Sequence, residues 1–186
     1  GKLDDVFNQT ILFQVRLPRL LEAMLTGAVL TLAGQVYQIV LNNPLADSFT
    51  LGLASGASLG SGIALFLGLS FLWFPIFSII FSLITLLLVL SVSAMLAKGY
   101  PVQMLILTGL LLGALLNALL YLLVLINPKK MNPIASYLFG GFASAEYQDV
   151  MIISLIASVA IIVLFLMQKG IKLLQVGELK SQSLGL

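Results

Sequence analysis

The run from Ser48 to Ala97, which holds no charged side chain, restricts the fold of this sequence more than any other feature. A water-soluble domain normally carries about a quarter charged residues, whereas this chain of 186 residues is 9% charged and 60% apolar. In the hydrocarbon of a bilayer every backbone polar group must be paired within the protein, and a helix does this locally. The sequence therefore predicts an all-α, polytopic transmembrane helical bundle.

Proline and asparagine divide the apolar sequence into segments of roughly 20 residues, the length that crosses a bilayer. Asn42-Asn43-Pro44 ends the first segment, because the residue before a proline disfavours helical geometry. Trp73 and Pro75 divide the charge-free run, since tryptophan favours the membrane interface and proline interrupts a helix. We therefore predict five spans, at residues 20–42, 51–69, 75–97, 103–126 and 150–168.

Two polar segments flank the last predicted span. Residues 129–149 are too short and too polar for another span, so we predict a loop with a short interfacial or re-entrant helix that ends at Gly140 and Gly141. Residues 171–186 are amphipathic and broken at Gly177, which is typical of a segment on the membrane surface or of a docking element. Basic residues number five on the N-terminal side and four on the other, so the positive-inside rule does not fix the orientation.

Missing residue types exclude most chemistry. The 186 residues contain neither cysteine nor histidine, so disulfides, thiol chemistry and the commonest general base and metal ligand are absent from them. A net charge of +2 gives no strong field for nucleic acid. The phosphate-binding motif G-x-x-x-x-G-K-[ST] does not occur, so nucleotide hydrolysis would need a separate protein. We predict no catalytic residue, no metal site, no cofactor and no nucleic-acid partner.

The cluster Arg16-Leu17-Pro18-Arg19 lies at the mouth of the first predicted span, where Pro18 suits a first helical turn. Its arginines have two interpretations from chemistry alone. They reach lipid headgroups, or their guanidinium groups, one helical turn apart, bind carboxylates of a partner. Glu22, three residues beyond Arg19, is also within reach for an intrahelical pair.

The second predicted span carries Gly52, Gly56 and Gly60 at four-residue spacing, which favours close packing against another helix. Lining of a pore is the alternative. The same stretch matches G-x-S-x-G around Ser58, the form of a hydrolase nucleophile. That motif needs a strand-to-helix turn and a histidine base, and the sequence provides neither.

Three amide side chains lie within predicted spans. Gln35 and Gln38 are three residues apart and share a helix face, and Asn117 has Tyr121 one turn later. In hydrocarbon such amides either bond across helices or line a hydrated solute path. Both interpretations stay open.

Six short motifs together carry a resemblance that spans nearly the whole chain. They are Arg16-Leu17-Pro18-Arg19, Ala33-Gly34-Gln35 with Asn43-Pro44-Leu45-Ala46, Leu51-Gly52 with Ser55-Gly56-Ala57, Leu107-Thr108-Gly109, Phe139-Gly140-Gly141, and Val176-Gly177-Glu178 with Ser183-Leu184-Gly185. In this order the sequence resembles the FecCD-type permease subunits of ABC importers for ferric siderophores, haem and vitamin B12.

The resemblance implies a type II ABC importer permease in a bacterial inner membrane, with the five spans matching the family's second to sixth. It implies four partners: a second permease subunit, ATPase subunits, an extracytoplasmic solute-binding protein and the lipid bilayer. The Arg16 and Arg19 mouth would then lie outside and residues 171–186 in the cytoplasm. The carried chelate is not determined by the sequence.

The resemblance also implies roles for individual residues. Arg16 and Arg19 would dock the solute-binding protein, and the cytoplasmic loop would transmit the motion of the ATPase through Gly177, Glu178, Ser183, Leu184 and Gly185. Ser181 and Lys172 depart from the residues that are usual in the family. For a cytoplasmic gate we favour Val102 and Gln103, at the start of the fourth span.

Two other classes compete with the permease. One is an independent five-span carrier or membrane scaffold, which an isolated reading frame without a neighbouring ATPase gene would favour. The other is an intramembrane hydrolase that uses Ser58, which a cleavage activity lost on Ser58→Ala would favour.

Overall fold

The structure, a computed structural model, describes residues 2–97, 99 and 101–176. Within these residues all regular structure is helical. The elements are α1 (Lys2–Thr10), a π-helical segment (Ile11–Arg16), α2 (Leu17–Val40), α3 (Leu53–Phe66), α4 (Trp73–Leu96), α5 (Pro101–Ile126), a 3-10 turn (Pro128–Lys130), α6 (Met131–Phe139) and α7 (Tyr147–Val176).

Four helical stretches of the described chain are long and apolar enough to cross a membrane: Asp4–Val40, Trp73–Leu96, Pro101–Ile126 and Tyr147–Leu173. The segment predicted as the span 51–69 is helical only over α3, which has 14 residues. At about 1.5 Å per residue α3 is roughly 21 Å long, shorter than a hydrocarbon core of about 30 Å.

A glycine with positive φ lies at each end of α3. At its C-terminus Gly68 has φ +72°, and the amides of Gly68 and Leu69 donate to Leu65 (3.0 Å) and Ala64 (3.1 Å). This pairing is a Schellman motif, which ends a helix at a residue with positive φ. The helix begins after Gly52, which also has φ +72°. Two turns that glycine favours therefore limit α3 to its short length.

The described residues divide into two compact units. The first contains α1, the π-helical segment, α2 and α7, and α2 packs against α7 there. We predicted that Pro18 begins a helix, and it does lie in the first turn of α2. The residues before Pro18 are helical as well. They adopt a π-helical register, in which an amide donates to the carbonyl five residues back, as Leu17 does to Leu12. Pro18 itself has no N–H to donate.

The second unit is residues 43–140 and contains α3, α4, α5 and α6. Several of its buried side chains are small or β-branched, as at Ala64 of α3 and Val89 of α4, and Ile134 of α6 is buried too. Large apolar side chains such as Leu87 and Leu111 are exposed, at 64% and 63%. Exposed leucines on long apolar helices are expected where lipid is the solvent.

Candidate docking surface and helix seam

Arg16 and Arg19 differ in their surroundings although both are exposed. The Arg19 guanidinium donates a hydrogen bond to the carbonyl oxygen of Ala143, in the loop before α7. Arg16 borders a shallow depression of about 280 Å³ with Asn8, Ile11 and Leu12. Glu22, the intrahelical alternative partner of Arg19, has its Oε2 buried without a hydrogen-bond partner in this structure.

The π-helical segment explains a second contact of the same loop. The Leu17 amide donates to the carbonyl of Leu12, five residues back. In this register the carbonyl of Phe13 would pair with the amide of residue 18, but proline has no N–H. The Tyr147 hydroxyl donates to that carbonyl instead. Tyr147 was not among the predicted site residues, although a tyrosine just before an apolar span is a common interfacial anchor.

The start of α7 is fixed by its own side chains. The Glu146 amide donates to Asp149 Oδ2 at 3.0 Å, and the Asp149 amide donates to the Glu146 carbonyl at 3.1 Å. A carboxylate three residues into a helix that accepts from the amide before it is half of a capping box. The first residue of α7, Tyr147, is thereby held in a defined place.

Gly140 and Gly141, predicted to terminate the short helix, follow the last residue of α6. Their φ angles are +68° and +144°. The Gly140 amide donates to the Tyr137 carbonyl at 3.1 Å, which closes the last turn. Residues with a Cβ are strained at these angles, so glycine is required to end α6 in this way.

Gly52, Gly56 and Gly60 are buried in the second unit. A Cβ at Gly52 would lie 2.9 Å from the carbonyl oxygen of Gly109 in α5, and one at Gly60 would lie 2.8 Å from the Cβ of Phe81 in α4. A Cβ at Gly56 would lie 3.0 Å from the Phe81 carbonyl oxygen. The three glycines therefore form a seam along which α3 contacts α4 and α5 through backbone.

Ser58 does not have the geometry of a nucleophile. It lies within α3, and its Oγ donates to the carbonyl of Ala54 at 2.9 Å. A hydroxyl that bonds the preceding helical turn is a common arrangement of serine in apolar helices. The strand-to-helix turn that a nucleophile elbow requires is replaced by continuous helix here.

The three amides predicted for the solute path are exposed. Gln35 and Gln38 lie on α2 in the first unit, and Asn117 lies on α5 in the second. Asn117 borders a groove of about 610 Å³ together with Ser58 and Tyr121. The structure thus puts Asn117 beside two hydroxyl-bearing side chains.

Val102 and Gln103, the predicted gate residues, lie in the first turn of α5, with Val102 half-buried and Gln103 exposed. The coupling residues Gly177, Glu178, Ser183, Leu184 and Gly185 lie outside the described residues. Within the described ranges, no three acidic, cysteine or histidine side chains stand close enough to hold a metal ion.

Sequence reasoning missed the contacts that hold α6 beside α3 and α4. The Lys130 amino group lies 3.5 Å from the carbonyl oxygen of Leu65, at the C-terminus of α3. Tyr137 packs edge-to-face on Phe74 with ring centroids 5.1 Å apart. Burial raises the pKa of Tyr137 above its usual range, against a smaller opposing contribution from a hydrogen bond with Ser78. The sequence indicates Lys130 only as one of the five basic residues on the N-terminal side, because its partner is distant in sequence.

Helices this long and this apolar, in the part of the chain that the structure describes, define a polytopic membrane protein. The chain matches the model of the FecCD transport family over residues 2–186. It belongs to this family.

Individual relatives agree with the family match. The chain is 33% identical to the ABC transporter permease protein YvrB of Bacillus subtilis over 98% of its own length and 53% of the relative's. It is 36% identical to an iron chelatin transport system permease protein of Helicobacter pylori over 95% of its length and 53% of the relative's. The chain therefore spans about half the length of these relatives.

A solved structure shares the fold. It is a metal-chelate type ABC transporter in an inward-facing conformation, superimposed with a TM-score of 0.85 at 33% identity. The match covers 96% of this chain and 57% of the solved one. The predicted fold class, a transmembrane permease bundle of the ABC importer type, is thereby confirmed.

Proposed function

We propose that this chain forms the first-half core of the permease subunit of an ATP-driven importer of metal chelates, such as a ferric siderophore, haem or cobalamin. The observation that carries the proposal is the family match over residues 2–186, which includes every helix of the described chain. The permease does no bond chemistry in this proposal. ATP is hydrolysed by separate ATPase subunits, and a second permease subunit completes the path.

The proposed work of the chain is divided between its two ends. At the outer face Arg16 and Arg19 receive a solute-binding protein through its carboxylates, because a guanidinium group pairs with a carboxylate through two hydrogen bonds. At the inner face the segment 177–185 transmits the motion of the ATPase. This orientation places the tail in the cytoplasm of a cell with the permease in its inner membrane.

Between the two faces the helices open and close around the solute by alternating access. The glycine seam supports this proposal, since α3 contacts the backbone of α4 and α5 closely at Gly52, Gly56 and Gly60 and these helices would move together. Gln35, Gln38 and Asn117 are exposed amides that would face a hydrated path. Val102 and Gln103 are proposed to close it at the cytoplasmic side.

The proposal is tested by transport. The complete reading frame that contains this segment is reconstituted in proteoliposomes with the ATPase and solute-binding protein encoded beside it. ATP-dependent accumulation of a ferric siderophore, haem or cobalamin is then measured, with an ATPase variant that cannot hydrolyse ATP as the control. Accumulation of one of them in the active preparation alone is the expected result. Uptake that is independent of ATP would favour a small carrier instead and overturn the importer.

A second variant tests the inner face. Glu178→Ala in the same preparation should leave ATP hydrolysis by the complex measurable while uptake falls, because the coupling contact is weakened and the ATPase is unchanged. Asp5→Ala, which removes an exposed carboxylate from α1, is the matched control. Equal uptake in both variants would contradict the role of residues 177–185.

A further inference from the structure

Two arginines one helical turn apart differ in their contacts in this structure. Arg16 is exposed and makes no hydrogen bond or ion pair to any residue that the structure describes. Arg19 is bound through its guanidinium to the Ala143 carbonyl, 124 positions away in sequence. Arg16 therefore has all five of its guanidinium N–H donors available to a partner's carboxylate, whereas one nitrogen of Arg19 is already engaged by the Ala143 carbonyl.

The loop that Arg19 contacts has little else to hold it. Residues 141–144 are exposed, and the single backbone-to-backbone hydrogen bond within the described residues 141–146 runs from the Ala145 amide to the Phe142 carbonyl at 3.2 Å. Exposed loops with few buried contacts open at low free energy. The position of this loop therefore depends on its contacts with α2 and with the π-helical segment.

The second such contact depends on Pro18. Because proline has no N–H, the π-helical register leaves the Phe13 carbonyl without a donor from the helix, and the Tyr147 hydroxyl supplies one. Single π-helical turns inside α-helices are frequent at functional sites. The bond from Arg19 reaches Ala143 within the loop 141–146, and the bond from Tyr147 holds the first residue of α7, directly after that loop.

We infer that Arg19 and Tyr147 are positioning residues that latch the loop 141–146 beside Arg16. Of the two arginines proposed above to receive the solute-binding protein, Arg16 is then the one that pairs with its carboxylate. The latch follows from this structure alone, whereas the role of Arg16 rests on the proposed docking of a solute-binding protein. The latch sets the shape of the surface around Arg16 without contributing the paired charge.

Amide hydrogen exchange on the complete transporter in nanodiscs tests the latch. Arg19→Gln and Tyr147→Phe should each speed exchange at the Ala145 and Glu146 amides roughly tenfold, the change expected when one hydrogen bond that holds the loop is lost. Arg16→Gln should leave those amides unchanged, and Arg19→Lys should restore part of the protection. Unchanged exchange in Arg19→Gln, or equal acceleration in Arg16→Gln, overturns the latch.

The role of Arg16 is tested by the affinity of the solute-binding protein for the transporter, measured at two salt concentrations. Arg16→Gln should weaken binding roughly tenfold and flatten its salt dependence, because a charge contact is removed. Tyr147→Phe should weaken binding less and leave the salt dependence unchanged. If Arg16→Gln binds like the unmodified protein while the loop amides respond to Arg19→Gln, docking at Arg16 is overturned and the latch is supported. The two failures are thus distinguishable.

Discussion

Gly56 and Lys130 illustrate how single residues decide packing in the second unit. Gly56 has no side chain at the place where α3 contacts α4, and the Lys130 ammonium group lies at the C-terminus of α3, near the Leu65 carbonyl. The helix dipole places partial negative charge at that end, which a nearby ammonium group stabilises. Both effects are local and can be measured by substitution.

Gly56→Ala is expected to destabilise the complete protein by about 1–3 kcal/mol, the usual cost of overpacking a filled site. The added methyl group would meet Thr85 and the Phe81 carbonyl, and backbone cannot move aside cheaply. The measurement is the thermal unfolding midpoint in detergent. Gly27→Ala is the control, because a Cβ there meets nothing within 4 Å. Equal midpoints for both variants would contradict the seam.

Lys130→Met is expected to lower stability by about 1 kcal/mol, because the ammonium group no longer reaches the C-terminus of α3. Lys129→Met is the matched control, since Lys129 is the exposed neighbour of the same charge. The two variants are compared by unfolding midpoint at low and high salt. A larger loss in Lys129→Met would refute the assignment of Lys130.

At the scale of elements, loops and interruptions of the helices carry the specific geometry. The loop before α3 is organised by Asp47, whose Oδ1 accepts from the Phe49 amide at 2.9 Å, the Thr50 amide at 3.0 Å and the Thr50 hydroxyl at 3.1 Å. This carboxylate holds Thr50 and Leu51 where Gly109 of α5 makes room for them. The start of α3 depends on that loop.

Asp47→Ala is expected to cost about 1–2 kcal/mol, as for removal of a side chain that caps backbone amides. Asp47→Asn should retain most of the stability because its Oδ1 still accepts those bonds. Unfolding midpoints of the two variants decide the point. If Asp47→Asn is as unstable as Asp47→Ala, the acceptor role of Oδ1 is wrong and the charge itself matters.

At the scale of the whole molecule, much apolar surface of the described helices has no protein neighbour. Leu155 of α7 is 68% exposed and Leu122 of α5 is 54% exposed. The chain covers 53% of the length of its Bacillus subtilis relative. Part of this surface is therefore expected to pack against the remainder of the parent protein, and part against lipid.

The segment of 186 residues, expressed by itself and extracted in detergent, is expected to elute as a polydisperse sample, because helix faces that meet other helices in the parent remain uncovered. Coexpression with the remaining part of the parent frame should give a single peak. Size-exclusion chromatography with light scattering measures both. A stable, monodisperse segment would show that these faces need no partner.

The sequence by itself determined the fold class, because hydrocarbon leaves helices as the local solution for backbone pairing and the charge-free run cannot fold otherwise. It also determined the family, through motifs such as Arg16-Leu17-Pro18-Arg19 whose order is specific. Helix ends were less accessible. The helix continues before Pro18 because its hydrogen-bond register changes, and α3 ends early because of a Schellman turn. The periodicity of apolar residues indicates neither feature.

Only the tertiary structure decided which groups meet. The separation in sequence is 124 positions between Arg19 and Ala143, 134 between Tyr147 and Phe13, and 65 between Lys130 and Leu65. No local pattern encodes such pairings, because they follow from how whole helices pack. Gly56 is recognisable from spacing as a packing residue, whereas its contact with Thr85 requires the relative position of α3 and α4. The physical reason is that propensity acts over one helical turn, while a hydrogen bond or a methyl contact depends on the placement of two separate elements to within an ångström.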